Sequence, residues 1–295
     1  MNVITRAKQI EIIAALCEGV SIRATERLTG VHRDTIMRLG ARAGKGALIV
    51  HDRMMQGLNV ARIELDETWS YVGKKQRKLT PEDSTDLGDQ YVYIALASTA
   101  KAILSYHVGK RDYPNTQDFL NDLRVRVVNA PEISSDGFPA YPRAIDEAFG
   151  LDCTYGQITK KYASEPSIDA ARRYSPGYVV GVEKTNVVGK PMQISTSYVE
   201  RQNLSVRMHS RRFTRLTNGF SKKLENHVAA FGLHAAYYNF CRVHESLRVT
   251  PSMALNVTDH IWTIGELIDA CLNGEIKEPV GRKVGRFTVI DGGVS

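Results

Sequence analysis

The sequence lacks paired cysteines and a long uninterrupted apolar run. Its four cysteines lie far apart with no C-x-x-C pair, which argues against a zinc ribbon or a disulfide framework and favours a reducing cytosol. The most apolar stretch, Tyr91–Val108, is interrupted by Lys101 and several hydroxyls, so it predicts two strands rather than a membrane span. The first sixteen residues carry charges within their apolar part and no small-residue cleavage site, so we expect no signal peptide.

Positive charge is concentrated in two segments of the chain. Of the 295 residues, 43% are hydrophobic and 24% are charged, an ordinary composition for one large globular domain or two modest ones. The net charge is +7: residues 1–60 carry +4 and residues 198–249 carry +6, whereas residues 61–197 carry −1 and residues 250–295 carry −2. Clustered Arg and Lys bind phosphates, so this distribution favours a nucleic-acid partner, with two solvated helical faces as the simpler alternative.

The first 45 residues are typical of a helix-turn-helix DNA-binding domain. Apolar residues recur at helical spacing over Ile10–Leu16, and Ser21 is suited to cap a second helix, Ile22–Leu28. A turn at Gly30 leads to a basic third helix over Arg33–Ala43, and in this motif such a helix enters the major groove. An ordinary three-helix bundle is the alternative. The exposed basic residues of the third helix are the predicted DNA contacts: Arg33, Arg38 and Arg42.

Residues 61–216 predict a mixed α/β fold. Runs of β-branched and aromatic residues indicate strands, and apolar residues three and four positions apart indicate helices. Residues 163–188 are polar and contain Pro and Gly, so we interpret them as an inserted loop. The predicted order is three strands, helix, strand, helix, strand and helix: Ala61–Gly73, Tyr91–Ser98, Ala102–Val108, Pro114–Val128, Glu132–Ser135, Tyr141–Phe149, Cys153–Lys160 and Ser197–Leu216.

Three acidic residues occupy positions suited to catalysis. Asp66 lies inside an otherwise apolar strand, where a buried carboxylate is costly unless a cation or donor meets it. Asp136 lies at the carboxyl end of a strand, where catalytic side chains collect in α/β sheets, and Glu200 lies on the last predicted helix. Acids beside a basic helix predict a metal-dependent phosphodiester reaction with two Mg²⁺ or Mn²⁺ ions about 4 Å apart.

The segments around these acids resemble the DDE transposases of the insertion sequence 1 family. The matching motifs are ELDETWSYVGKK around Asp66, SDGFPAY around Asp136, and VERQNLSVRMHSRRFTRLTNGFSK around Glu200. The resemblance implies a ribonuclease-H-like catalytic domain, with a mixed five-stranded sheet and helices on both faces, and it makes the three acids a metal-binding triad. Members of this family often carry an N-terminal zinc finger, which we do not expect here because no cysteine pair exists.

The resemblance also implies the chemistry and the partners. Water would cleave the transposon ends, and the freed 3′-hydroxyl would then attack target DNA, both steps being phosphoryl transfers at one two-metal site. We expect double-stranded DNA as the partner, a homo-oligomer that holds two DNA ends together, no membrane association, and a bacterial or archaeal cytosol near the nucleoid. Asn203 and Arg207 share a helix face with Glu200. The further predicted DNA contacts are Arg201, Asn203, Arg207, Arg211, Arg212, Arg215, Lys222 and Lys223.

The predicted domain organisation follows from these motifs. Residues 1–45 form the helix-turn-helix domain, and residues 46–60 form a linker that begins among closely spaced glycines. Residues 61–250 form the catalytic domain, with the insertion at about 163–188, and residues 251–295 form a C-terminal helix and tail.

Three other functions stay open at this point. A tyrosine recombinase would use His209 and Arg212 as its H-x-x-R pair, with Tyr237 or Tyr238 as the nucleophile. A helix-turn-helix regulator with an inactive nuclease-like domain would bind DNA without metal-dependent nicking, and a simple nuclease of the same fold would cut DNA without joining it. We interpret the histidines of the apolar segment after Leu224 as packing or DNA-facing residues rather than zinc ligands: His227 and His234.

Overall fold

The computed structural model describes residues 4–163 and 179–276. Its first part consists of three helices, with serine or threonine caps on the first two and a left-handed glycine, Gly30, between the second and the third. No helix in the described residues is both long and apolar enough to cross a membrane. The three helices are α1, Arg6–Cys17; α2, Ile22–Thr29; and α3, Arg33–Met54.

Helix α3 continues through most of the segment predicted as a linker, so the prediction of a linker over residues 46–60 is wrong as far as Met54. The glycines that suggested a linker are instead contact points between helices. A Cβ atom on Gly44 would lie 2.2 Å from the carbonyl oxygen of Ala229, and one on Gly46 would lie 1.8 Å from that of Cys271. Only glycine permits so close an approach, and the first three helices are thereby packed directly onto the rest of the chain.

In the described residues, six strands form one mixed sheet in the order β3-β2-β1-β4-β5-β6. The pairs β1–β2, β2–β3 and β5–β6 are antiparallel, whereas β4 lies parallel to both β1 and β5. The first five strands are those that the sequence predicts, to within a few residues at their ends. The strands are β1, Arg62–Val72; β2, Gly88–Ala97; β3, Ile103–Gly109; β4, Glu132–Asp136; β5, Thr154–Tyr162; and β6, Val179–Val188.

Strand β6 corrects the prediction of a five-stranded sheet. It lies in the predicted insertion at 163–188, of which residues 164–178 are outside the described residues, and it pairs with β5 from Tyr155 to Tyr162. Nearly all its side chains are exposed, including Val180 and Val182. Because neither face of β6 is buried, its sequence lacks the alternation of apolar and polar residues that marks a half-buried strand.

Helices cover both faces of the sheet. Alternate residues of β2 belong to different apolar clusters: Tyr93 packs with α4 and α5, whereas Val92 and Ile94 pack with α6 and α7. Short additional turns occur at Gln76–Lys78, Arg211–Phe213 and Tyr237–Cys241. The remaining helices are α4, Tyr113–Arg126; α5, Tyr141–Phe149; α6, Ser197–His209; α7, Leu224–Ala236; α8, Pro251–Ala254; and α9, Ile264–Asn273.

The helix that carries Glu200 is shorter than the sequence predicts. The helix predicted over Ser197–Leu216 ends at His209, because the chain becomes extended at Ser210 and then buries Phe213 at a 5.8 Å ring distance from Phe231. The predicted C-terminal helix matches α9, and the tail from residue 277 onward lies outside the described residues.

Candidate active site

The structure brings Asp66, Asp136 and Glu200 together at one cavity of about 490 Å³. Asp66 lies on β1, Asp136 is the last residue of β4, and Glu200 lies in the first turn of α6. Strands β1 and β4 are parallel and pair Leu65 with Ser135. The next residue of each strand is an aspartate, so Asp66 and Asp136 lie side by side on neighbouring strands. A cluster of acids from three separate elements therefore lies at the carboxyl end of β4.

Glu64 joins the start of α6 to the sheet, and its role was missed at the level of sequence. Its carboxylate accepts hydrogen bonds from the backbone N–H groups of Tyr198, at 2.7 Å, and Val199, at 3.0 Å. These are free donors of the first helical turn, so a side chain from β1 caps α6 from outside the helix. Burial raises the pKa of Glu64 more than these two donors lower it. The contact holds Glu200 near Asp66.

Asp66 is the most perturbed carboxyl group of the cavity. Burial, and then the negative charges of Glu67, Asp136 and Glu200, raise its pKa to about 7. Asn203 donates a hydrogen bond from Nδ2 to Asp66 Oδ2 at 2.7 Å. The predicted role of Asn203 in DNA contact does not suit its position, because this side chain is buried and directed at Asp66.

Glu67 is a fourth acid at the same edge, and it too was missed. Its side chain is only 3% exposed, and its pKa is raised by burial and by Asp136. Carboxylate oxygens of Asp66, Glu67 and Asp136 lie within 4.8 Å of one another, and all are the hard oxygen ligands that Mg²⁺ or Mn²⁺ accepts. The donor set therefore fits a divalent cation of this kind.

Two cations of the chain partly compensate this charge. Arg111 Nε lies 3.1 Å from Glu67, its Nη2 lies 3.5 Å from Asp136, and its guanidinium stacks 3.9 Å from the Phe138 ring centre. Lys160 of β5 pairs with Glu200, which also accepts a 2.6 Å hydrogen bond from Thr196 Oγ1. With all four acids ionised, the cluster keeps two negative charges in excess, which suits the binding of a divalent ion.

Among the described residues that line this cavity, none is an Arg or Lys predicted to contact DNA, and four of those predicted cations line a separate cavity. In residues 4–163 and 179–276, none of the predicted Arg and Lys side chains forms an ion pair with a carboxylate. Arg207 is half-buried near Asp66, and burial followed by the charge of Arg215 lowers its pKa. Arg212 is also half-buried, with a 3.4 Å contact to Ser221. The others are exposed: Arg33, Arg38, Arg42, Arg201, Arg211, Arg215, Lys222 and Lys223.

Tyr237, Tyr238 and His227 are held by hydrogen bonds inside the protein. The Tyr238 hydroxyl, on a side chain 7% exposed, donates to the Lys101 carbonyl at 2.8 Å, and that of Tyr237 donates to Glu18. Neither hydroxyl is free to attack a phosphate, which disfavours a tyrosine recombinase. His227 is buried between Ser70 and Ser221, at 2.8 and 3.1 Å, so its interpretation as a packing residue is confirmed.

Comparisons with known proteins give no family assignment. No protein-family model and no curated protein matches the chain. Solved structures that resemble it include the piggyBac transposase synaptic complex with hairpin DNA, at 8% identity and a TM-score of 0.29, covering 88% of this chain and 59% of that one. The Mos1 strand transfer complex has 11% identity and a TM-score of 0.23, covering 93% and 79%. These structures are transposase–DNA complexes, but similarity this low does not establish what the present chain does.

Proposed function

We propose that this protein is a DDE-type DNA transposase that cleaves transposon ends and joins their 3′-hydroxyl strands to target DNA. The observation that supports this most directly is the convergence of Asp66, Asp136 and Glu200 on one cavity beside a basic helix. Asp136 lies 70 positions after Asp66 and Glu200 lies 64 positions after Asp136, so three separate elements supply these acids. Carboxylates that converge in this way are suited to metal-assisted phosphoryl transfer.

The sheet supports the same proposal. The order β3-β2-β1-β4-β5, with β1 central and parallel to β4, is the order we expect for a ribonuclease-H-like domain of the insertion sequence 1 type. In that arrangement the first and fourth strands bring their acids side by side, and a helix beyond the fifth strand supplies the third acid. Strand β6 would then be an addition at the edge of this sheet.

Asp66 and Asp136 would hold the Mg²⁺ or Mn²⁺ ions together with Glu67, whose carboxylate oxygen lies within 4.8 Å of theirs. Glu200, which lines the same cavity but is not part of that close group, would complete the site. Such ions would activate the attacking water or 3′-hydroxyl and stabilise the leaving oxygen. The chain's own groups prepare this site: Asn203 orients Asp66, and Glu64 fixes the helix that bears Glu200.

The unpaired basic side chains would bind the DNA backbone. Arg207, whose guanidinium interacts electrostatically with Asp66, would position a phosphate beside the cavity, and Arg201 follows Glu200 on the same helix. Helix α3, with Arg33, Arg38 and Arg42, would act as the groove-reading helix of a helix-turn-helix. Two DNA ends must be held during transposition, so we expect a homo-oligomer, acting on DNA in the cytosol of a bacterium or archaeon.

The test is a DNA-joining assay with the full chain, a supercoiled plasmid target and duplexes taken from the DNA that flanks its gene. We expect joined products that require Mg²⁺ or Mn²⁺ and that Asp136→Asn abolishes. The matched control is Asp152→Asn, the same change at an exposed residue whose partner is Arg124 and which lies outside the cavity.

Two outcomes would contradict the proposal. DNA binding without any metal-dependent nicking would indicate a binding protein with an inactive nuclease-like domain. Cut products without joined products, under conditions in which the 3′ ends stay intact, would indicate a simple nuclease.

A further inference from the structure

We propose that a second cavity, between helices α1–α3 and the segment around α7, binds an unpaired nucleotide of the DNA strand. This inference rests on the proposed function for its choice of DNA as the ligand. The cavity has a volume of about 680 Å³ and is separate from the acidic site. We call it the head cavity; its walls are residues of α1, α2 and α3 on one side and residues 209–234 on the other.

The head cavity is strongly basic. Five cationic side chains from both walls line it, and none of its lining residues is acidic. Among the described residues these cations have no carboxylate partner, so their charge is available to phosphate groups. The five are Arg23, Arg33, Arg211, Arg212 and Lys222.

Apolar groups line the same cavity and offer a surface for a base. Leu16, Met37 and Leu233 contribute aliphatic contacts, and Met37 is 40% exposed. Phe220 contributes a half-exposed ring, with the Lys222 ammonium 3.6 Å from its centre and the Tyr71 ring 4.6 Å away. An aromatic ring next to cations is the usual surface on which an unpaired base stacks.

The polar groups of the cavity suit the edge of a base. His234 is 3% exposed, and its Nδ1 has no hydrogen-bond partner among the described residues. A buried ring nitrogen without a partner is costly, so a small movement of this ring that exposed the nitrogen to a bound base would be favoured by the new hydrogen bond. Asn218 and Asn226 lie in the same lining and can donate or accept hydrogen bonds.

The size of the cavity selects a single nucleotide rather than a duplex. Its volume is within the range of about 300–1,000 Å³ typical of small-molecule pockets, which is far too small for paired strands. A base can reach such a pocket only when it is unpaired or turned out of the stack. A bound phosphate alone would leave the apolar wall uncovered.

Helix α6 relates the head cavity to the acidic site. Glu200 lies near its beginning, and His209, which lines the head cavity, is its last residue. Nine residues of helix span roughly 14 Å, which corresponds to about four nucleotides of a stacked strand. The bound nucleotide would therefore belong to the strand near its cleaved end, and frayed ends would be preferred.

The experiment compares DNA probes that carry equal charge. One is a short duplex with a single-stranded thymidine extension, and the other carries abasic residues in the same extension. Binding is measured by fluorescence anisotropy in the presence of EDTA, so that no cleavage intervenes. We expect about 5- to 100-fold tighter binding of the thymidine probe, because only it has bases to stack.

Two variants connect this preference with the head cavity. Ala41→Trp would fill the cavity from α3, and Phe220→Leu would remove the aromatic ring; each should abolish the difference between the probes. The control is Ile49→Trp, which introduces the same side chain at a 68% exposed residue of α3 outside the cavity, and it should keep the difference. Thermal unfolding of each variant confirms that it is folded.

Equal affinity of the wild-type protein for the two probes would overturn the proposal, and so would a preference that persists in folded Ala41→Trp and Phe220→Leu. DNA joining with no preference for the thymidine probe would overturn this inference alone. A preference that depends on the head cavity, in a protein that joins no DNA, would leave it standing and contradict the proposed function.

Discussion

The two cavities of this protein are lined by side chains of opposite charge. At the carboxyl edge of the sheet, Asp66 and Glu67 are acids withdrawn from water, and Arg111 and Lys160 only partly compensate the cluster. The head cavity carries five cations and no acid, and these cations lack partners among the described residues. The first cavity is thus suited to a divalent cation and the second to a phosphate. A net charge of +7 conceals this separation.

The largest expected effect on DNA joining comes from neutralising Asp66 in the acidic cavity. Asp66→Asn should lower metal-dependent DNA joining by at least about 1,000-fold, because it removes the carboxylate that interacts with each of the other three acids. In metal-free buffer the same variant should be more stable than the wild type, since it removes a buried charge next to like charges. Joining assays and denaturant unfolding measure the two effects, and a variant that loses both activity and stability would contradict this account.

The pH dependence of stability tests the raised pKa of Asp66. The pKa of this group is near its usual value in the unfolded chain and about 7 in the folded protein. Its contribution to the free energy of unfolding is therefore fully present below about pH 4 and is lost as the pH rises to 7. Without metal, this group should lower the free energy of unfolding over that interval by up to about 4 kcal/mol. The measurement is the difference between wild type and Asp66→Asn at several pH values.

Added Mg²⁺ supplies the control for the pH experiment. A bound cation favours the ionised carboxylate, so the loss of stability between pH 4 and 7 should shrink when Mg²⁺ is present. A pH dependence that is unchanged by Mg²⁺, or shared by Asp66→Asn, would show that other groups are responsible.

Glu64 allows the link between the sheet and α6 to be broken without touching the three acids. Glu64→Ala would leave the N–H groups of Tyr198 and Val199 without this acceptor, of which that of Val199 is buried, and we expect a loss of about 2–3 kcal/mol in unfolding free energy. DNA joining per folded molecule should also fall, because Glu200 is no longer held toward Asp66. Glu64→Gln keeps one acceptor oxygen and should restore part of both.

Thr263→Ala is the matched control for Glu64→Ala. It removes the capping box of α9, in which Thr263 and Glu266 exchange hydrogen bonds, so it too should lower stability. Helix α9 is not part of the acidic cavity, so joining per folded molecule should stay at the wild-type value. If both variants lose activity equally, Glu64 acts only through stability.

The sequence predicts the elements that bear the acids better than it predicts what surrounds them. Asp66 and Asp136 were identified because a strand pattern and a strand end give each position a chemical meaning before the fold is known. Glu64 and Glu67 are also acidic and lie on the same strand as Asp66. Their roles, however, depend on contacts with α6 and Arg111, which are distant in sequence. A periodic pattern identifies which face of a helix or strand is apolar, but it does not identify the residues that pack against that face.

The glycines of α3 and the residues of β6 were misinterpreted for related reasons. Gly44 and Gly46 resemble helix breakers until the positions of α7 and α9 are known, since it is those helices that exclude a side chain. Strand β6 has hydrogen-bond partners on β5 but no buried face, so its pairing leaves no trace in apolar periodicity. In each case the deciding contact is made by residues far away in the chain.

The smallest expected effect tests the basic side of the comparison. Arg211→Gln removes one exposed cation of the head cavity, and we expect duplex binding to weaken a few-fold with little dependence on DNA sequence. Since one phosphate contact releases about one counterion, the slope of log affinity against log salt should become less steep by about 0.9. Arg143→Gln is the matched control: it removes the same charge from α5, where Arg143 pairs with Glu147 at 2.8 Å, and it should leave the slope unchanged. Equal slopes for Arg211→Gln and the wild type would mean that the cations of the head cavity do not contact phosphate, and the contrast between the two cavities would then hold for the acidic one alone.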